Sequence, residues 1–303
     1  MPDGASLASD VYSPRRAEGR APLVLVHGTL VSRRDYRYFA PLLANALGAE
    51  VIVYDRRGRD ALTPQAPEYS LRAEADDLDA VLAASGADKV LGHSYGGSVT
   101  LLAAGRAPGT FSWVTYDAAL NPAGSLSDRW RPEFREVIDA GDLDAGWAML
   151  VNGLGTAGLL SKLPVPVLKA AGHSMNGATG IGRRMYAALP GSLREMESVL
   201  LQDEPFPLPE RGLMLNGGLS PDYFHDTTAF VTGIHPRVRS LNLPGLMHNG
   251  PMLPLRALAR IMAAYLVAHP ANPAAPSTPP SPANINPAGH YPANLNPSKN
   301  QES

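Results

Sequence analysis

Along the first third of the chain, short apolar runs closed by turn residues alternate with stretches whose apolar positions recur every three or four residues. A continuous apolar run of strand length marks a strand buried on both faces, whereas an i, i+3, i+4 stripe marks a helix with one inward side. Pro22 to His27 reads as the first such strand and Val51 to Tyr54 as the second. Between them Ser32 is placed to cap a helix whose Phe39, Leu42, Leu43 and Leu47 face inward, with Gly48 to stop it. Ser70 heads another helix, with Leu71, Leu78, Val81 and Leu82 on one stripe; Asp76, Asp77 and Asp79 fall mainly on the opposite side and read as a solvated face. Lys89 to Leu91, Phe111 to Tyr116, Gly212 to Asn216 and Val238 to Leu243 read as further strands. Val99 to Ala104 reads as helix, and a last helix follows Pro254 with Leu255, Leu258, Ile261, Met262 and Tyr265 inward. This alternation predicts an α/β fold with a mostly parallel central sheet and helices on both faces.

After Asn121-Pro122 the alternation stops, and helical sequence interrupted by glycine and proline runs to about Pro209 before strand-like runs resume. The pattern therefore predicts a core made of residues 1–121 and 209–269, with 122–208 inserted as a helical cap over the C-terminal edge of the sheet. From about Pro270 the chain is rich in Pro, Ala, Asn and Ser, and Pro-Ala-Asn-Ile-Asn-Pro is echoed by Pro-Ala-Asn-Leu-Asn-Pro, so 270–303 is predicted to be a disordered tail. A chain of 303 residues that is 45% hydrophobic is large enough for one substantial core and an insertion. Its formal net charge of -2, without a Lys/Arg run, offers no attraction for nucleic acid or an anionic membrane. With no cysteine there is neither a disulfide framework nor a thiolate metal site. Met1-Pro2-Asp3-Gly4 carries no secretory-signal pattern and no apolar run reaches membrane-spanning length, so cytoplasmic residence is the default expectation.

Gly92-His93-Ser94-Tyr95-Gly96-Gly97 stands directly after the apolar pair Val90-Leu91. A strand that turns sharply into a helix around a serine needs glycines on either side of it, because Gly92 and Gly96 have no Cβ to collide where strand and helix meet. The segment resembles the nucleophile elbow of the α/β-hydrolase superfamily, and a resemblance carried by further segments in the right order covers the chain from about Asp3 to His269. His27-Gly28-Thr29-Leu30 looks like the segment that supplies an oxyanion-hole amide, which implies backbone N–H groups from Thr29 and from Tyr95. Tyr54-Asp55-Arg56-Arg57-Gly58-Arg59 is similar to a structural turn of the superfamily and is assigned no catalytic role. Leu243-Pro244-Gly245-Leu246-Met247-His248-Asn249-Gly250-Pro251 resembles the late loop that carries the catalytic histidine. A serine hydroxyl is a poor nucleophile near neutral pH and needs a base that titrates there, which is the role implied for His248.

The third partner is less direct. The superfamily usually carries an acid as G-x-x-D after the penultimate strand, but the matching Gly217-Gly218-Leu219-Ser220 has serine there. Asp117, at the end of the strand after the elbow helix, sits where some members place their acid and is favoured; Asp222, two residues past Ser220, and the absence of any acid are the alternatives. Gly172-His173-Ser174-Met175-Asn176-Gly177 imitates the elbow, but Asn176 stands where the close-packing glycine must be. No histidine pair has metal-ligand spacing, and neither a P-loop nor a strand-anchored dinucleotide fingerprint occurs, so no metal and no cofactor is expected. Met149, Met175, Met185, Met247 and Met252 are candidates for lining an adaptable apolar pocket.

The resemblance implies a serine hydrolase acting on a small, apolar acyl substrate (a carboxylic ester, lactone or thioester) through an acyl-enzyme on Ser94. Serine at the elbow disfavours dehalogenase and epoxide hydrolase activity, which in this superfamily generally use aspartate there. Perhydrolase, C–C hydrolase or biosynthetic cyclase chemistry on the same fold stays open, as does a ligand-binding pseudoenzyme, to which the displaced acid gives a foothold.

Overall fold

The computed structural model describes residues 6–59, 63–65, 68–200 and 207–272. Among the described residues seven strands form one sheet: β1 (Ser9–Tyr12), β2 (Leu23–Val26), β3 (Val51–Tyr54), β4 (Lys89–His93), β5 (Ser112–Tyr116), β6 (Gly212–Gly217) and β7 (Val238–Leu243). Their order across the sheet is β1-β3-β2-β4-β5-β6-β7, and every pairing is parallel except β1 with β3. Side chains along a strand alternate between faces, and here both faces are covered. Leu23 and Leu25 of β2, Leu91 of β4 and Leu213 and Leu215 of β6 join one core with helices α1 (Ala40–Leu47) and α9 (Arg256–Ala268). Val24, Val26, Val90, Trp113 and Met214 point the other way, into a core shared with α2 (Leu71–Ser85), α3 (Tyr95–Arg106) and α8 (Asp222–Ile234). Each fully buried leucine or valine contributes roughly 1.5–3 kcal/mol, so the continuous apolar runs account for the sheet's lying in the middle of the molecule.

Between β5 and β6 the chain adds no strand among the described residues. It forms α4 (Arg131–Asp139), α5 (Leu143–Leu154), α6 (Val165–Ala178) and α7 (Gly180–Leu200), which share a third core with Leu30 and with Tyr223 and Phe224 of α8. No helix among the described residues is long and apolar enough to cross a membrane.

Three sequence readings need adjustment. The helix after Ser32 is broken: a 3-10 turn spans Arg33–Tyr36 and α1 starts only at Ala40. Pro41, which cannot donate a helical hydrogen bond, sits at the start of α1, while Ser32 instead heads the 3-10 turn, its N–H and hydroxyl both bonded to Asp35. Asp77 is not solvated: it is buried against Arg57, 2.6 Å away, and Asp76 and Asp79 both pair with Arg106. β1 and α8 have no counterpart in the hydropathy pattern, since β1 is a short edge strand of mixed burial and α8 follows directly on the Ser220-Pro221 turn. Of the tail expected to be disordered, residues 273–303 lie outside the described residues.

Candidate active site

The strand order reverses at β2, with β3 on one side and β4 on the other, and a crevice opens at the C-terminal ends of the strands at such a point. His27-Gly28-Thr29 leaves β2 there and Ser94 leaves β4. Ser94 joins strand to helix with φ 56° and ψ -125°, a backbone state that costs a non-glycine residue about 1–3 kcal/mol and persists only where its surroundings impose it. The surroundings do impose it. A Cβ on Gly96 would overlap the Val26 carbonyl, one on Gly92 would overlap Thr100, and one on Gly28 would come within 2.9 Å of Ser94 Cβ. Among the described residues only Leu30, Ser94 and Asp117 combine a side chain with positive φ, and all three bear on this crevice.

Asp117 follows β5 and is fully buried. His248 Nδ1 lies 3.0 Å from its Oδ2, which also accepts the Ser220 hydroxyl at 2.6 Å. The other oxygen, Oδ1, accepts the Gly217 N–H at 3.1 Å and the Asn216 side-chain amide at 3.3 Å. Burial opposes ionisation of Asp117, but the hydrogen bond and charge of His248 and the bonds from Ser220 and Gly217 outweigh it and hold the carboxyl below its ordinary range. Asp222 is exposed at the first residue of α8 and makes no such contact. The His248 ring stacks on Phe224 at 4.6 Å, and with Nδ1 committed to Asp117 only Nε2 is left for exchange with the crevice.

The loop holding His248 is anchored by its carbonyls. Tyr116 Oη donates to the Met247 carbonyl at 2.8 Å, and His93 Nε2 lies 2.8 Å from the His248 carbonyl. A carbonyl can only accept, so Nε2 carries the proton, and in a neutral ring Nδ1 is then the acceptor for the Tyr36 hydroxyl at 2.6 Å. Burial, followed by the nearby His248, pulls the His93 pKa down to about 3, which keeps the ring neutral. In the sequence His93 is only the variable residue of the elbow; the one available signal is a polar ring closely following the apolar residues Val90 and Leu91 of β4.

A cavity of about 400 Å³ opens above Ser94. Thr29, Ser94, Tyr95 and His248 form its floor, and Trp147, Leu150 and Leu154 of α5 are among the apolar residues around it. Met185, Met247 and Met252 line it, as does Met196, whereas Met149 and Met175 pack within the helical layer instead. Ser174 is exposed on α6, its hydroxyl bonded back to the Ala170 carbonyl, and takes no part. Among the described residues no acidic, lysine or arginine side chain lines the cavity. Nor is any set of three or more His, Asp or Glu side chains among them grouped to hold a metal ion.

A family model described as the alpha/beta hydrolase fold matches residues 21–143. The chain is an α/β-hydrolase-fold protein. Its structure is similar to that of an α/β-hydrolase from Sphaerobacter thermophilus, with a TM-score of 0.65 and 23% identity, covering 87% of this chain and 97% of that one. Among other α/β-hydrolase-fold structures, MenH from S. aureus superposes with a TM-score of 0.59 at 17% identity, over 86% and 98% of the two chains. A monoacylglycerol lipase from Paleococcus ferrophilus does so with a TM-score of 0.55 at 16% identity, over 87% and 99%. No curated protein matches the sequence.

Proposed function

We propose that the protein is a serine hydrolase that cleaves an uncharged carboxylic ester, lactone or thioester with an apolar acyl part through an acyl-enzyme on Ser94. The observation that carries this reading is the 3.0 Å contact between His248 Nδ1 and the buried Asp117 carboxylate at the cavity that Ser94 enters from its strained elbow. Asp117 fixes the tautomer and orientation of His248, leaving Nε2 to take the proton as Ser94 Oγ attacks the substrate carbonyl carbon. The negative oxygen of the tetrahedral intermediate is received by the N–H groups of Thr29 and Tyr95, and the proton on His248 passes to the departing alcohol or thiol. Water, deprotonated by the same histidine, then attacks the acyl-enzyme and releases the acid.

The apolar, uncharged lining supports an acyl chain in the cavity rather than a charged group, which would be buried there without a partner. Residues 122–208 act in this reading as a cap that shields the reaction from water. The foothold for a non-catalytic reading, serine at the usual acid position, loses its force because Ser220 donates to Asp117. Fluorophosphonate labelling and hydrolysis of p-nitrophenyl esters by wild type, both lost in Ser94→Ala, are the expected results. A folded wild type that is neither labelled nor active would overturn the reading.

A further inference from the structure

We infer that Glu195 and Ser198 of α7 are positioning residues for the two oxyanion donors, so that docking of the helical layer onto the sheet sets the geometry in which charge is stabilised. The inference rests on the serine hydrolase reading and adds to it a part for a helix outside the sheet.

It starts at the Gly28 carbonyl. That oxygen accepts Arg56 Nη2 at 3.1 Å, His27 Nδ1 at 2.9 Å and, more distantly, Arg59 Nη2 at 3.4 Å. In a planar trans peptide the carbonyl of Gly28 and the N–H of Thr29 point in opposite directions. Gripping the oxygen from the arginine side therefore turns the Thr29 N–H away from it, and Thr29 lines the cavity beside Ser94. Among the described residues nothing accepts from that N–H, which leaves it available. Arg56 Nε also holds the His27 carbonyl at 3.1 Å and Arg59 Nε the Val31 carbonyl at 2.9 Å, so the segment is fixed at several points by two side chains and His27.

Those two guanidinium groups are in turn held from α7. Glu195 Oε1 lies 3.0 Å from Arg56 Nη2 and 2.7 Å from Arg59 Nη2, and both Glu195 and Arg56 are removed from solvent. Burial opposes the charge on Glu195, but Arg56 and Arg59 outweigh it and keep the carboxylate ionised. The remaining guanidinium nitrogen of Arg56, Nη1, donates to Glu74 of α2 at 2.9 Å. A carboxylate buried from a distant part of the chain, touching the two arginines that grip the Gly28 carbonyl beside His27, does more than tie two layers together.

The second donor is tied to the same helix. The Tyr95 hydroxyl lies 2.9 Å from Ser198 Oγ and 2.8 Å from the Tyr69 hydroxyl, and the Arg56 guanidinium stacks over the Tyr95 ring at 4.6 Å. Ser198 Oγ is itself bonded to the Glu195 carbonyl, one turn back on α7. Thus one turn of α7 reaches both the peptide that carries the Thr29 N–H and the residue that carries the other.

The test compares full-length wild type, Glu195→Gln and Ser198→Ala with a p-nitrophenyl ester, rates being expressed per serine titrated by fluorophosphonate. A misdirected donor weakens only what forms in the transition state, so kcat falls while KM holds. We expect kcat of Glu195→Gln to drop about tenfold or more and that of Ser198→Ala a few-fold, with KM within about twofold, against roughly 10²–10³ for outright loss of a donor. Affinity for a trifluoromethyl ketone, whose serine adduct carries the same oxyanion, falls in parallel with kcat. Wild-type kcat in the variants, or a loss confined to KM or to the titrated fraction, overturns the inference. Should Glu195→Gln not fold, Ser198→Ala decides alone. An inert wild type overturns the hydrolase reading and this one with it, whereas an active wild type with unaffected variants overturns only this one.

Discussion

All four lone-pair positions of the Asp117 carboxylate are taken, by His248, Ser220, Gly217 and Asn216. Such a group has no freedom to be replaced by a neighbour, and Asp222 is exposed on α8 instead of facing His248. In Asp117→Asn the amide offers a donor where Nδ1–H needs an acceptor, which favours the wrong histidine tautomer. The expected result is a kcat lower by about 10³–10⁴-fold with fluorophosphonate labelling slowed, while Asp222→Asn stays within about twofold of wild type, both read from p-nitrophenyl ester kinetics. Equal losses in the two variants would contradict the assignment. In the sequence this choice was open, because Gly217-Gly218-Leu219-Ser220 keeps the usual spacing with the wrong side chain. That the Ser220 hydroxyl and the Asp117 carboxylate converge is a matter of β5 and β6 being neighbours, which no local pattern encodes.

At the level of elements, the runs that mark β2 to β6 were legible because burial on both faces leaves few polar positions to blur them, such as Lys89, His93, Ser112, Thr115 and Asn216. The elbow was legible for a related reason, since its glycines answer to backbone overlap with β2 and α3. Ties between elements were not legible. His93 ends β4 and links the Tyr36 hydroxyl on the 3-10 turn to the carbonyl of His248, a contact across 155 positions of sequence. Its consequence is measurable as stability. His93 is neutral when folded, with a pKa of about 3, and takes up a proton on unfolding once the pH is below about 6.5. The unfolded chain binds more protons in that window, so stability is complete above about pH 6.5 and is lost as the pH falls towards 3, with a limiting slope of about 1.4 kcal/mol per pH unit from this residue. His27, pushed down by burial and then by Arg56 and Arg59, adds to the same trend. His93→Gln keeps a donor and an acceptor without a titrating ring. Urea unfolding between about pH 4 and 6.5 is expected to show a shallower pH slope by up to one proton; an unchanged slope would mean that His93 is protonated in the folded state.

At the scale of the whole molecule, the cavity belongs to neither layer alone. Its floor is made by loops at the ends of β2 and β4 and by the His248 loop, and its walls include α5, α7 and α8. The floor was readable in the sequence, since those loops carry motifs, but the walls were not, because the packing of α4 to α7 depends on long-range contacts between apolar stripes that are interchangeable in composition. Substrate choice should therefore follow the walls. Ala157, in the turn after α5, lines the cavity without belonging to the buried core, so an added ring there can enter the cavity with little disturbance of packing. In Ala157→Trp a long acyl chain loses its space while an acetyl group, held near Ser94, does not. Hydrolysis of p-nitrophenyl octanoate is expected to fall about tenfold or more in kcat/KM, with the acetate ester changing less than about threefold, in keeping with what one or two lost methylene contacts are worth in an apolar pocket. If both esters slow equally, the introduced indole would be acting on the chemistry or on access in general. If neither slows, the acyl chain extends along some other wall than the one to which Ala157 belongs.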